Sequence, residues 1–239
     1  MHSYTAILSS EAKEAIKALS RNFDVLMLPP DSSIDKPVSC HADMILFSLG
    51  CDAVLPNAYA FSYPEIPSYL ESVLGLAVKN DLSERHKSYP YDIGLNVLLN
   101  GSYAFGNAHY ISDNVKNILE KYSIELLHVR QGYSACSSLS FGNCIITADK
   151  GIADSAEERS IDVLRITPGH IRLEGYSYGF IGGASGVHED CVYFSGNIER
   201  HPDGKKIRRF VESSGFECIS LYDGDLSDIG GIKFLRNVI

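Results

Sequence analysis

In the stretch PVSCHADMILF (37–47), an imidazole and a carboxylate, His41 and Asp43, stand two residues apart. Read as the opening of an apolar strand, this spacing puts both on one face, because strand side chains alternate. Alone, the pair can finish a strand edge with a hydrogen bond. Opposite a thiol, it can move protons. The chain has six cysteines, at 40, 51, 136, 144, 191 and 218. Cys136 stands out because Ser134, Ser137 and Ser138 flank it, polar surroundings that suit a nucleophile. Cys40 adjoins His41, but alternation turns it away, and the remaining thiols sit on apolar strands as core cysteines do. Asp92 and Asp228 are candidate acids for holding a cation, with Asn96 on the Asp92 side of its strand. Each acid equally suits a turn. A thiolate attacks, an imidazole moves protons, and carboxylates grip a guanidinium or amidine in fixed geometry.

Such a site exists only if the chain folds these positions together, and an internal rhythm provides for that. Starting at His41, Asp92, Cys136, Gly183 and Asp228, the sequence runs strand, strand, helix, strand, with a repeat of 44–51 residues. The fifth unit runs out of chain after IGGIKFL (229–235). TAILS, a helical stretch and DVLML (5–9, 10–23 and 24–28) supply its missing parts at the other end. A repeat of this length with one unit shared between the termini predicts a closed ring, an α/β five-bladed propeller of ββαβ units in one domain over 1–239. The residues opening each unit then meet at one end of the axis.

The helices carry local signals. Ala12, Ala15, Ile16 and Leu19 share a face, with Ser10 as a cap. Val115, Ile118, Leu119 and Tyr122 do the same behind Ser112, and Ile207, Phe210 and Val211 end at Gly215. The polar run 79–90 reads as a surface connection. The string GGASG (182–186) lacks the Gly-Lys-Ser/Thr ending of a phosphate loop and the frame of a nucleophile elbow. Gly183 and Ser185 are expected to line the pocket, through close packing or backbone N–H donors.

With its fivefold ββαβ pattern and the His-Ala-Asp at 41–43, the chain resembles the guanidine-modifying superfamily, the penteins. Within that superfamily, GYSACSSLSFGNCIITADKGIA (132–153) and GFIGGASGV (179–187) are similar to an uncharacterised bacterial family. The resemblance implies a metal-independent hydrolase or amidinotransferase working through a covalent thiouronium. It implies Cys136 as nucleophile, His41 as proton carrier, Asp43 as holding the histidine or binding substrate, and Asp228 as a substrate-binding acid. The superfamily nucleophile normally lies near the C-terminus, so Cys136 fits after a circular shift of the units. The separate glutamate that accompanies the histidine in deiminases has no clear counterpart. The rival expectation is a non-catalytic binding protein on the same scaffold, as in the similar ribosome anti-association factor.

Bulk properties narrow the partners. A formal charge of -9 argues against phosphate-driven nucleic-acid binding. The first residues lack a basic start and a long apolar run, and no stretch is long and apolar enough for a membrane helix. Without a signal, the thiols read as reduced in a cytoplasmic protein. Neither His-x-x-x-His nor paired-cysteine spacing is present, so no metal or other cofactor is expected. The expected partner is a small, cationic molecule.

Overall fold

A computed structural model describes residues 2–83 and 85–238. The chain opens with strands β1 (Tyr4–Ser9) and β2 (Asp24–Leu28). Four complete units follow: β3 (Phe47–Leu49), β4 (Asp52–Pro56) and β5 (Ala77–Asp81); β6 (Leu98–Asn100), β7 (Tyr103–Gly106) and β8 (Glu125–His128); β9 (Ser138–Phe141), β10 (Cys144–Thr147) and β11 (Asp162–Arg165); β12 (Ser185–His188), β13 (Cys191–Phe194) and β14 (Glu217–Ser220). Strand β15 (Lys233–Arg236) then pairs with β1, so both ends of the chain build the fifth sheet as the repeat predicts.

All five sheets have one pattern. The first strand is antiparallel to the second, and the second is parallel to the third. The parallel step needs a crossover, and a helix supplies it each time. Middle strands have apolar residues on both faces, since helices or neighbouring blades cover them. β4 and β10 are buried at every position. The apolar cores lie between blades. One joins Ile7 and Leu28 to Leu55 and Leu70, the next Val54 to Val97 and Val115. The third joins Phe105 to Ile145 and Ile152, the fourth Ile146 to Phe194 and Ile207, and the fifth packs Leu8, Leu19 and Ile232 against Tyr193 and Leu221 of the fourth blade. Sheets that pack successively in this way form a five-bladed α/β-propeller with inner strands β3, β6, β9, β12 and β15. Among the described residues no helix is long and apolar enough to cross a membrane.

Several local expectations hold. Ser112 caps the helix Asp113–Lys121 by accepting a hydrogen bond from Asn114 N, and Gly215 takes φ +86° behind the helix Gly204–Ser213. Ser10 does not cap. The helix Lys13–Leu19 is instead bounded by Ala12, two residues later, without a side-chain cap. The strand expected to open at His41 is also corrected. Residues Ala42–Ile45 form a single helical turn with His41 as its N-cap residue, and β3 begins only at Phe47. The polar run 79–90 begins inside β5 and is pinned by a buried guanidinium. Arg85 donates to Asp31 Oδ2 at 2.8 Å and to the carbonyls of Met44 at 2.7 Å and Asp92 at 2.9 Å.

Candidate active site

The turns that open the blades are stitched to one another around the axis. Asp43 N donates to Gly230 O, Gly231 N to Gly183 O, and Gly183 N to Cys136 O. Asn96 closes the remaining gaps. Its Oδ1 accepts from Ala135 N at 2.8 Å, and its Nδ2 reaches Met44 Sδ at 3.3 Å. Two glycines permit this approach. A Cβ at Gly183 would run into the Asp228 carboxylate, and one at Gly230, where φ is +76°, into His41 Cβ.

Cys136 sits in a one-turn helix, Ser134–Ser137, just ahead of β9. Its Sγ donates to Asp43 Oδ2 at 2.7 Å and accepts from Asn96 Nδ2 at 3.2 Å. The flanking serines do not solvate it. Ser134 and Ser137 bond to backbone carbonyls and Ser138 to Thr147. Across the axis, His41 Nδ1 lies 3.7 Å from Asp228 Oδ1 and has no hydrogen-bond partner, and neither has Asp43 Oδ1. Asp228 is fixed by Phe180 N at 2.8 Å and Gly230 N at 3.0 Å. His41, Asp43 and Cys136 are 3%, 5% and 3% exposed, so their charged forms are poorly solvated.

Burial sets the protonation states. It pushes the Cys136 thiol well above its ordinary range, and the negative charges of Asp43 and Asp228 push it further. Asp43 itself is raised to about 8, by burial first and then by Asp228, against the lowering bond from the thiol. Burial holds His41 below the ordinary imidazole range, with Asp228 pulling it back up. In the resting chain the thiol and the imidazole are therefore neutral near pH 7.

Three of these groups close the floor of a cavity of about 270 Å³. Cys136, His41 and Asp228 line it, and its walls are Val38, Tyr133, Leu173, Tyr176, Tyr178 and Phe180, with Ser177. Asp43 lies behind Cys136 and lines a second cavity, of about 200 Å³, along the inner strands. Lys233 lines that cavity too. Burial lowers its pKa, and the charges of Asp43 and Cys136 pull it back up.

The structure thus brings together five of the residues expected from sequence: Cys136, His41, Asp43, Asn96 and Asp228. Of the other three, Asp92 and Ser185 stand elsewhere, and Gly183 packs closely against Asp228 without lining the cavity. Asp92 does not line the cavity and accepts a bond from Tyr133 OH at 2.7 Å. Ser185 lines the second cavity and donates to the carbonyls of Ile181 and Gly182. Gly183 spends its N–H on Cys136 O, so it offers no donor to an anion. Lys233 and the aromatic wall were not foreseen. The lysine's signal was its place two residues after Gly231 in the strand that opens the fifth unit, and the wall residues lie in loops without periodicity. The donor atoms of His41, Asp43 and Cys136 lie within 4.8 Å of one another, the one group among the described residues compact enough to hold a metal ion.

This architecture is similar to that of solved guanidine-modifying enzymes. A dimethylarginine dimethylaminohydrolase from Pseudomonas aeruginosa, as a cysteine-to-serine variant complexed with citrulline, matches over 99% of this chain and 100% of its own, with 15% identity and a TM-score of 0.58. The C. jejuni agmatine deiminase matches over 92% of this chain and 88% of its own, at 10% identity and TM-score 0.56. An amidinotransferase from Microseira wollei, from saxitoxin biosynthesis, matches over 92% and 75%, at 12% identity and TM-score 0.55. All are penteins, and the fold here is the pentein propeller. No curated protein matches the sequence. A model of a family of unknown function, DUF6873, matches residues 7–233.

Proposed function

The chain belongs to DUF6873, a family of unknown function, and from its own cavity we propose that it is a cysteine-dependent enzyme acting on the C–N bond of a small guanidine or amidine. The observation carrying this is the convergence of a thiol, an imidazole and a carboxylate, Cys136, His41 and Asp228, at the floor of one cavity, with a second carboxylate, Asp43, bonded to the thiol from behind.

The neutral thiol indicates how substrate would be used. A guanidinium beside Asp228 brings a positive charge next to Asp43 and Cys136, and opposite charge favours both ionised forms. Binding therefore lowers the thiol pKa, and nucleophile and electrophile appear together. The Cys136 thiolate attacks the central carbon and forms a C–S bond. His41, holding the thiol proton, passes it to the departing nitrogen, which leaves as ammonia or an amine. The thiouronium that remains is attacked by water, whose proton returns to His41. The C–S bond breaks, releasing a urea-type product and the thiolate. With an amine in place of water, the same steps transfer the amidino group. The six free thiols suit a reducing cytoplasm.

The elevated thiol favours a second reading, a protein that captures a cationic ligand without turning it over. One experiment separates the two. Chloroacetamidine should alkylate Cys136 much faster than neutral chloroacetamide at pH 7, with the advantage lost in Asp228→Asn. Equal rates for the two reagents would remove the guanidine reading. Selective capture without release of ammonia or amine from any guanidine would establish the binding protein.

A further inference from the structure

The walls of the cavity say more about the substrate than its floor does. Six apolar or aromatic residues enclose it: Val38, Leu173, Tyr133, Tyr176, Tyr178 and Phe180. The hydroxyls of two of the tyrosines are committed to carboxylates that do not line it. Tyr133 OH donates to Asp92 at 2.7 Å and Tyr176 OH to Asp35 at 2.9 Å. Asp228 is the one charged side chain in the lining besides the ionisable floor groups His41 and Cys136, and no lysine or arginine lines the cavity among the described residues.

Resting on the guanidine reading, we propose that this cavity selects a guanidine or amidine whose tail is apolar or aromatic and carries no carboxylate. A guanidinium head finds Asp228 at the floor and aromatic rings around it, both favourable to a cation. A tail carboxylate would leave water for an apolar wall with no cation to receive it, and Asp35 and Asp92 stand just behind that wall. An aromatic or alkyl tail instead replaces water along the walls. An amino-acid substrate, whose carboxylate needs a partner, does not match this lining.

The test measures protection of Cys136 from alkylation, quantified by mass spectrometry of its peptide. Phenethylguanidine and Nα-amidinophenylalanine share a head and an aryl tail and differ by one carboxylate. Phenethylguanidine is expected to protect at a concentration at least tenfold lower than Nα-amidinophenylalanine, L-arginine or agmatine. In Tyr178→Arg, a substitution at a residue 44% exposed, the carboxylated compound should gain at least tenfold while phenethylguanidine does not. Equal protection by the matched pair, or better protection by arginine or agmatine, overturns the inference while leaving the guanidine reading in place. Phenethylurea separates the other failure. If this neutral analogue protects as well as phenethylguanidine, the guanidine reading falls. Protection by none of the compounds overturns both.

Discussion

At the residue scale, the site is a balance of charges around one thiol. Asp43 and Asp228 oppose the thiolate, and Lys233 approaches Asp43 from the second cavity. Opposite substitutions should therefore move Cys136 in opposite directions. In Asp43→Asn, the pH midpoint for iodoacetamide labelling should fall by about one unit, and in Lys233→Met it should rise by a similar amount. Shifts of the same sign, or none, would refute this electrostatic account. Asp43 also links stability to pH. Its folded pKa is raised to about 8, against ~3.9 for an unfolded aspartate. The stability this proton contributes is fully present below about pH 4 and lost as pH rises towards 8. Asp43→Asn has no such proton. Its urea midpoint relative to wild type should rise steadily from about pH 4 to about pH 8 and then level off. The residue types of this site were legible in sequence, but their solvation was not. The serines beside Cys136 looked like its polar environment, yet their own backbone and Thr147 claim them, and Asn96 from another blade takes that role.

At the element scale, His41 and Asp43 come to the axis by a geometry other than the one their spacing implies. Strand alternation would aim them together, but the chain instead makes one helical turn, Ala42–Ile45. His41 precedes that turn with extended backbone, and Asp43 is tied to Gly230 O. A spacing of two does not distinguish these geometries, because the deciding contact comes from residues almost two hundred positions away. Amphipathic helices were easier to read, since their 3.6-residue period is local. Arg85 shows the opposite case. In sequence it belongs to a charged surface run, whereas in the fold its guanidinium is buried against Asp31 and two carbonyls. Removing it leaves Asp31 buried with its charge uncompensated. Arg85→Met should cost about 3–5 kcal/mol in denaturant unfolding and expose 79–90 to protease. Ser112→Ala removes only a helix cap and should cost about 1 kcal/mol with no change in cleavage. Equal, small losses for both would mean that Arg85 does not hold the connection.

At the scale of the whole molecule, the five sheets are separate, and the ring is held by the apolar cores between blades and the hydrogen-bonded turns around the axis. The repeat made this arrangement readable, because a unit divided between the two ends of the chain is complete only if the ends meet. They do so in β1 and β15, where Tyr4 pairs with Arg236. Just beyond the strands, Asn237 donates to Ser3 O at 2.9 Å and accepts from Thr5 Oγ1 at 2.7 Å. Every blade shares a core with both of its neighbours, so the ring should unfold as one cooperative unit. Far- and near-ultraviolet circular dichroism should then show a single, coincident transition. Joining the ends through a short Gly/Ser linker constrains the unfolded chain with little demand on the folded one. The chain-entropy model sets the gain at up to about 5 kcal/mol. At this chain length each kcal/mol raises the melting temperature by about 2–4 °C, so the cyclised protein should melt several degrees higher with its single transition preserved. A chain lacking 233–239 loses β15 and Lys233 together, and should lose both cooperative unfolding and selective Cys136 labelling. If that truncated chain melted like the full one, the fifth blade would not be what holds the ring shut, and the convergence of the five opening turns would need another cause.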